Sequence, residues 1–384
     1  MAIRVALHHQ TSYRYGQSIG VGPQIIRLRP GVHTRTPIHS YSLHIQPSAH
    51  FINWQQDPQG NLLARVVIPE PTDHLSITVD LVVDLVVYNP FDFFIEEAAQ
   101  TWPFSYDLDL TKELKPYLNC KPDEGPEFEQ WLAAIDRDSR TTIDFLVTIN
   151  STVQACIDYT IRMEPGIQTP NETLALGTGS CRDSAWLLVT ALRRLGIAAR
   201  FVSGYLIQLT PDKEAVDGPN GATEDFCDLH AWCEAYIPGA GWVGLDPTSG
   251  LLAGEGHIPL ACSPLPSSAA PISGSHETCD DVIFHHDMSV QRIIDAGRAG
   301  KPYQDSQWQA ILEAGDKVDQ RLIAGDVRLT VGGEPTFVAS RDPDADEWNT
   351  AALGPTKAGL GDRLLRRLIS EWGPGAVLHH GQGK

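Results

Sequence analysis

Apolar and polar residues alternate over short, turn-bounded runs through the first part of the chain, in HHQTSYRY, QIIRLRP, HSYSLHIQP, LLARVVIP and LSITVDLVVDLVV between Ile3 and about Tyr88. A period of two with many β-formers predicts strands that bury one face, and their succession predicts an all-β sandwich. Asp57-Pro58-Gln59-Gly60-Asn61 reads as a hairpin turn in which Gly60 is free to take positive φ. The aromatic, acidic, proline-flanked stretch from Asn89 to Pro103 reads as a linker packed between domains. From about Glu127 to Tyr159 the period turns helical: Trp131, Leu132 and Ile135 share one turn, and Phe145, Ile149, Val153 and Ile157 recur near every fourth position.

The strongest helical pattern is GTGSCRDSAWLLVTALRRLG, Gly177 to Gly196. Ser180 is a good N-cap and Asp183 completes an S-x-x-D box, which makes Cys181 the first helical residue. Ala185, Leu188, Val189 and Leu192 form an apolar stripe that Trp186, Leu187 and Ala191 widen, and Gly196 is the expected stop. A thiol in the first turn feels the positive end of the helix dipole, so its pKa should fall and its nucleophilic thiolate should be more populated. A small buried cysteine packing a core fits the same stretch. Gly177 and Gly179 begin a G-x-G, but without a third glycine they read as loop glycines and not as a dinucleotide site.

After a strand from Ile197 to Leu209, the acidic segment Thr210 to Asp225 reads as a mobile surface loop near the site. In the following DLHAWCEAYIPGAGWVGLDPTSG, strand periodicity puts His230, Trp232, Glu234 and Tyr236 on one face and Leu229, Ala231, Cys233, Ala235 and Ile237 on the core face. Cys227, His230 and Cys233 imitate a zinc spacing, but both cysteines fall opposite the histidine, so no metal is assigned. His8, His9 and His33 also lack ligand spacing and receive no chemistry. Across a Pro-Gly turn from His230 comes Asp246, placed where a carboxylate could meet the imidazole ring. Register decides whether it does. Pairing Ile237 with Trp242 would set Asp246 opposite Cys233, on the wrong face, whereas a loop one residue shorter or longer sets it opposite Trp232 or Glu234. The Ser/Pro/Ala-rich stretch after Leu260 reads as a linker, Asp305 to Ile323 as an amphipathic helix, and DVRLTVGGEPTFV from Asp326 as a strand and glycine turn opening something new.

A chain of 384 residues should hold two or three domains. With 29 Lys plus Arg against 48 Asp plus Glu the net charge is −19, which repels phosphate backbones and anionic membranes, so neither nucleic acid nor a membrane is an expected partner. MAIRVALHHQTSYRYG holds no apolar run of signal-sequence length and no later segment approaches a membrane span, which makes a cytoplasmic location the default expectation. Seven cysteines without a C-x-x-C pair suggest free thiols in a reducing compartment.

A cysteine, a histidine further on and an aspartate on the adjoining strand have the order and chemistry of a Cys-His-Asp nucleophilic system. Together G-S-C-R-D, D-L-H-A-W and G-W-V-G-L-D-P-T resemble the bacterial transglutaminase-like superfamily. The resemblance implies an α+β fold, a papain-like transglutaminase core with a helix-borne cysteine packed on an antiparallel sheet, preceded by the all-β sandwich. It makes Cys181 the nucleophile, His230 the base and Asp246 the orienting carboxylate, with Ser180 and Trp232 flanking the site. The family's second oxyanion donor lies upstream of the cysteine; Tyr159 is the candidate, and a plain core tyrosine is the alternative. The N-terminal β region resembles the family's N-terminal domain, and GDVRLTVGGEPTF with EWNTAALGPTK resembles the opening of the long C-terminal domain of unknown function in larger bacterial forms. The expected layout is a sandwich over 1–95, a linker and helical lead-in over 96–150, the catalytic core over 151–262, a linker and helix over 263–325, and the start of a truncated C-terminal domain over 326–384. The implied activity is thiol-dependent acyl transfer on peptide or protein amides without a cofactor, as a cysteine hydrolase or as a transamidase. A coenzyme A acyl transferase would use the same triad, but so acidic a chain offers no evident basic pocket for its phosphates. The rival of another class is a binding module whose inherited triad is silent.

Overall fold

The computed structural model describes residues 2–162, 164–211, 222–293 and 303–325, the strands Arg328–Thr330 and Thr336–Val338, residue 345 and residues 354–372. Two compact units divide the chain, Met1–Ile294 and Asp295–Lys384. In the second unit the described elements are the helix Asp305–Ala324, an antiparallel pair formed by the two short strands, and the helix Pro355–Trp372. The predicted helix from Asp305 is thus present.

The first unit opens with the expected sandwich. One four-stranded antiparallel sheet runs in the order Val282–Arg292, Ile3–Ile19, Thr72–Leu85, Ile38–Gln46, and the other in the order Ile272–Ser273, Gln24–Ile26, Leu62–Val67, Phe51–Gln56. The alternation read from the sequence is realised in Leu75, Ile77, Val79, Leu81 and Val83, all buried against Ile26, Ala64 and Val66 of the facing sheet. At the predicted hairpin, Gly60 has φ of 87° and donates its N–H to the Asp57 carbonyl. One strand escaped the sequence reading: Phe51–Gln56 is exposed at every position, so it carries no alternation to detect.

The stretch after Ser263, a linker by composition, instead returns to the sandwich. Ile272–Ser273 pairs with Gln24–Ile26, and Val282–Arg292 pairs along the first strand from Val5 to Tyr15. Composition reports whether a segment can build its own core, whereas an edge strand borrows its partner's backbone and core. Limited proteolysis should therefore spare the stretch from Ser263 to Arg292 as long as the sandwich stays folded. A first cut between Ser263 and Val282 would show that this added edge is not stably paired.

The central antiparallel sheet has the order Leu251–Leu252, Gly241–Asp246, Phe226–Ile237, Ala199–Gln208, His257–Ser263. Against Ala231, Cys233, Ala235 and Ile237 pack the helix Cys181–Arg194, through Leu187, Leu188 and Leu192, and the helix Thr142–Cys156, through Phe145, Ile149 and Val153. Trp102 stacks flat on Phe145 at 3.6 Å and closes the far side of this core. The other end of the sheet meets the sandwich, where Tyr205, Ile207, Cys227, Ile258 and Leu260 join its apolar core and the Tyr205 hydroxyl meets His9 Nδ1 at 2.9 Å. The fold is the α+β arrangement expected, with a helix-borne cysteine on an antiparallel sheet after a β domain.

Candidate active site

Cys181 is the first residue of its helix, as the cap pattern predicts, and is nearly buried. The loop before it is held by Asp183, whose carboxylate accepts the Ser180 N–H at 2.8 Å, the Ser180 hydroxyl at 2.7 Å, the Gln168 N–H at 2.8 Å and Arg162 Nε at 2.9 Å. Burial pushes this carboxyl up, but the bonds from Arg162, Ser180 and Gln168 outweigh it and hold the group below the usual carboxylate range. Ser180 thus acts through Asp183. Arg182 adds a clamp on the same loop, donating to the Arg162 carbonyl at 2.9 Å. The sequence reading used Asp183 as a cap and missed Arg162, since a contact closing the loop from its far side has no periodic signature.

The hairpin carrying His230 and Asp246 takes the register the triad needs. Ile237 pairs with Gly241 and Tyr236 with Trp242, leaving Pro238, Gly239 and Ala240 as the loop. Gly239 and Gly241 have φ of 87° and 75°, the backbone such a short loop requires. Continued one step past Cys233 and Leu245, this register sets Asp246 opposite Trp232, on the face of His230. The structure accordingly brings His230 Nε2 to 3.2 Å from Asp246 Oδ1, an ion-pair contact whose hydrogen-bond alignment is imperfect. That leaves Nδ1 for the sulfur.

Burial of the His230 ring disfavours its charged form, but hydrogen bonding to Asp246 and to Cys181 outweighs burial and raises the imidazolium to about 10. Asp246 shows the complementary effect: burial opposes its charge, and bonds from His230 and His257 depress it well below the ordinary range. The main chain of Asp246 is fixed as well. Its carbonyl accepts Asn150 Nδ2 at 3.3 Å, and the same amide bonds the Leu251 carbonyl at 3.0 Å, so the helix Thr142–Cys156 anchors the turn after the aspartate. Asn150 was not anticipated from sequence, because one amide in an otherwise apolar stripe reads as a tolerated polar residue.

Tyr159 is 53% exposed, which removes the core-tyrosine alternative. It lies on Asp158–Tyr159, paired in parallel with Thr178–Gly179 so that Tyr159 stands beside Gly179. Partial burial, then the proximity of Cys181, pushes its phenol up. Trp232, expected to flank the site as a wall, is instead buried behind it. Its ring lies 6.3 Å from that of His230 and meets His257 edge-on at 5.2 Å. Gly204 allows this, since a Cβ there would collide with the indole and with the Ile258 carbonyl. The strand face was read correctly, but on a sheet covered on both sides the same face holds site and core alike. Cys227 packs in the sandwich core and Cys233 in the helix core, so the zinc-like spacing converges on nothing. Of the acidic loop expected near the site, residues 212–221 lie outside the described residues.

A thiol at a helix start, an imidazole held between it and a buried carboxylate, and a papain-like sheet beneath them define the class of Cys-His-Asp thiol proteins. The chain belongs to the transglutaminase-like superfamily: family models match it as "Transglutaminase-like superfamily" over residues 129–247, "Bacterial transglutaminase-like N-terminal region" over 5–84 and "Putative amidoligase enzyme (DUF2126)" over 277–384. An uncharacterized protein of Mycobacterium leprae is 34% identical over 275 residues, covering 71% of this chain and 92% of that protein. One from Mycobacterium tuberculosis is 28% identical over 276 residues, covering 66% of this chain and 82% of that protein. The crystal structure of a "Putative Cysteine Protease" from Cytophaga hutchinsonii shares the fold with a TM-score of 0.54 at 20% identity, covering 76% of this chain and 91% of that one. No helix among the described residues is long and apolar enough to cross a membrane.

Proposed function

We propose that this protein cleaves peptide-type amides through a thioester on Cys181, with water as the preferred acyl acceptor. The observation that carries this reading is His230 held between the Cys181 sulfur and Asp246, both of which favour its protonated form. The Cys181 thiolate attacks the carbonyl carbon, and the C–N bond breaks as His230 delivers its proton to the departing amine. The neutral imidazole then takes a proton from water, whose oxygen attacks the thioester, and the thiolate leaves. At a helix start the Cys181 N–H has no acceptor within its own helix and is free to bind the oxyanion, with the Tyr159 hydroxyl as the second donor. The amidoligase description of the family model over residues 277–384 also concerns amide bonds, which supports amides as the substrate class. A peptide or protein is therefore the proposed partner, and the chemistry calls on no cofactor.

The transamidase reading needs a dry channel in which an amine outcompetes water. Trp232, which strand parity puts on the face of His230, is buried behind the histidine and does not supply a wall for such a channel. The acidic surface attracts amines, yet it acts on encounter more than on partitioning at the thioester. Incubation with an acyl-donor peptide and excess primary amine is expected to give mainly the free acid. Predominant amide product would make the protein a transamidase, and no Cys181-dependent product of either kind would leave it a silent binding module.

A further inference from the structure

We propose that His257 is a positioning residue of this site, holding Asp246 so that the working unit is Cys181, His230, Asp246 and His257. The inference rests on the thiol reading above. Asp246 Oδ1 accepts the Thr248 N–H at 2.9 Å and faces His230, while Oδ2 accepts the Ser249 hydroxyl at 3.0 Å and meets His257 Nε2 at 3.3 Å. Thr248 and Ser249 belong to the turn that begins at Asp246 and move with it. His257 instead starts the strand His257–Ser263, at the opposite edge of the sheet from Leu251–Leu252, and so fixes the carboxylate relative to the sheet itself.

The tautomer is set by geometry. His257 Nδ1 accepts the Gly254 N–H at 3.1 Å, so the ring proton sits on Nε2 and is donated to Asp246. The His257 N–H returns to the Gly254 carbonyl at 3.0 Å, closing the turn beneath the ring. The His257 ring meets Trp232 edge-on at 5.2 Å and lies 5.9 Å from His230. Two imidazoles thus meet one carboxylate, and the bond from His257 to Oδ2 leaves Oδ1 as the oxygen that faces His230.

The test is the pH profile of Cys181 alkylation by iodoacetamide, read together with kcat/KM on an acyl-donor peptide. His257→Leu removes the donor and lets the carboxylate turn away. The alkylation rate at neutral pH should fall on the order of tenfold, the effect of losing a charge-assisted hydrogen bond, and the midpoint of its rise should move to higher pH. His257→Gln presents an amide N–H near the Nε2 position and should restore most of the rate, while His257→Asn is too short to reach Asp246 and should behave like leucine. The Gln and Asn pair keeps the comparison decisive if the leucine variant does not fold. A wild-type profile in the leucine variant, a midpoint moved to lower pH, or equal impairment of Gln and Asn would each overturn the role. If the wild-type chain shows no preferential alkylation of Cys181, the thiol reading itself falls; if only the His257 variants match wild type, this inference falls alone.

Discussion

Cys181→Ser is expected to abolish turnover, by about 10⁵-fold or more, without a change in near-UV circular dichroism or in unfolding midpoint. A hydroxyl is nearly isosteric with the thiol, so the N-cap loop and the bonds to Asp183 survive, but it has no accessible anionic form at neutral pH to attack the carbonyl. The companion measurement is mass spectrometry of the wild-type chain after brief iodoacetamide treatment, where Cys181 should carry the first label. The physical contrast lies in the other thiols: burial pushes Cys227 up to about 12, raises Cys156, and raises Cys233 and Cys262 well above the ordinary range. Cys262 does meet an imidazole, His33 Nε2 at 3.3 Å beside Glu234, but burial pushes that imidazolium down, whereas His230 is raised. Faster labelling of Cys227 or Cys120 at neutral pH, or residual turnover in the serine variant, would remove Cys181 as nucleophile.

Asp246→Asn should cost on the order of 10³–10⁴ in kcat/KM, because the amide can still touch His230 but supplies no charge. Burial alone disfavours the imidazolium, so without Asp246 the balance that raises His230 to about 10 is lost, and with it the proton that His230 delivers to the departing amine. The pH dependence of stability follows with a definite sign. His230 is raised above its ordinary 6.5, so its contribution is fully present below that value and is lost as pH climbs through about 10. Asp246 is depressed, so its contribution is present above its ordinary 3.8 and is lost as pH falls further. The stability difference between wild type and Asp246→Asn, from denaturant titrations, should therefore be largest between about pH 4 and 6.5 and should shrink toward pH 10. A difference that stays level from pH 6 to pH 11 would mean that Asp246 stabilises the turn through Thr248 and Ser249 and contributes little through His230.

Local patterns carried most of the site. The cap at Ser180 and the apolar stripe behind Cys181 sufficed to place the thiol at a helix start, and strand parity put His230 on the correct face. Parity also showed that an odd hairpin loop or a bulge was needed to deliver Asp246, and the three-residue loop that forms carries Gly239 and Gly241 at positive φ. These features were legible because each depends on neighbours within a turn or a strand, where geometry follows directly from spacing. Contacts between distant segments were not. Arg162 reaching Asp183, Asn150 holding the Asp246 carbonyl and His257 arriving from the far edge of the sheet each join elements whose separation in sequence says nothing of their distance.

Tertiary structure also overruled two readings made from composition and exposure. The Ser/Pro/Ala-rich stretch after Ser263 lacks a core of its own, and the first strand's open edge supplies one for Val282–Arg292. Trp232 sits beside the histidine as periodicity requires, but the sheet is covered on both faces, so that ring became packing behind His230. By itself the sequence determined which residues are the candidates for the chemistry and which way each local element points them, because helix and strand periods are short-range properties of the backbone. Only the tertiary structure decided what surrounds those residues, because burial, register across the sheet and the pairing of buried charges depend on segments that meet only once the chain has folded.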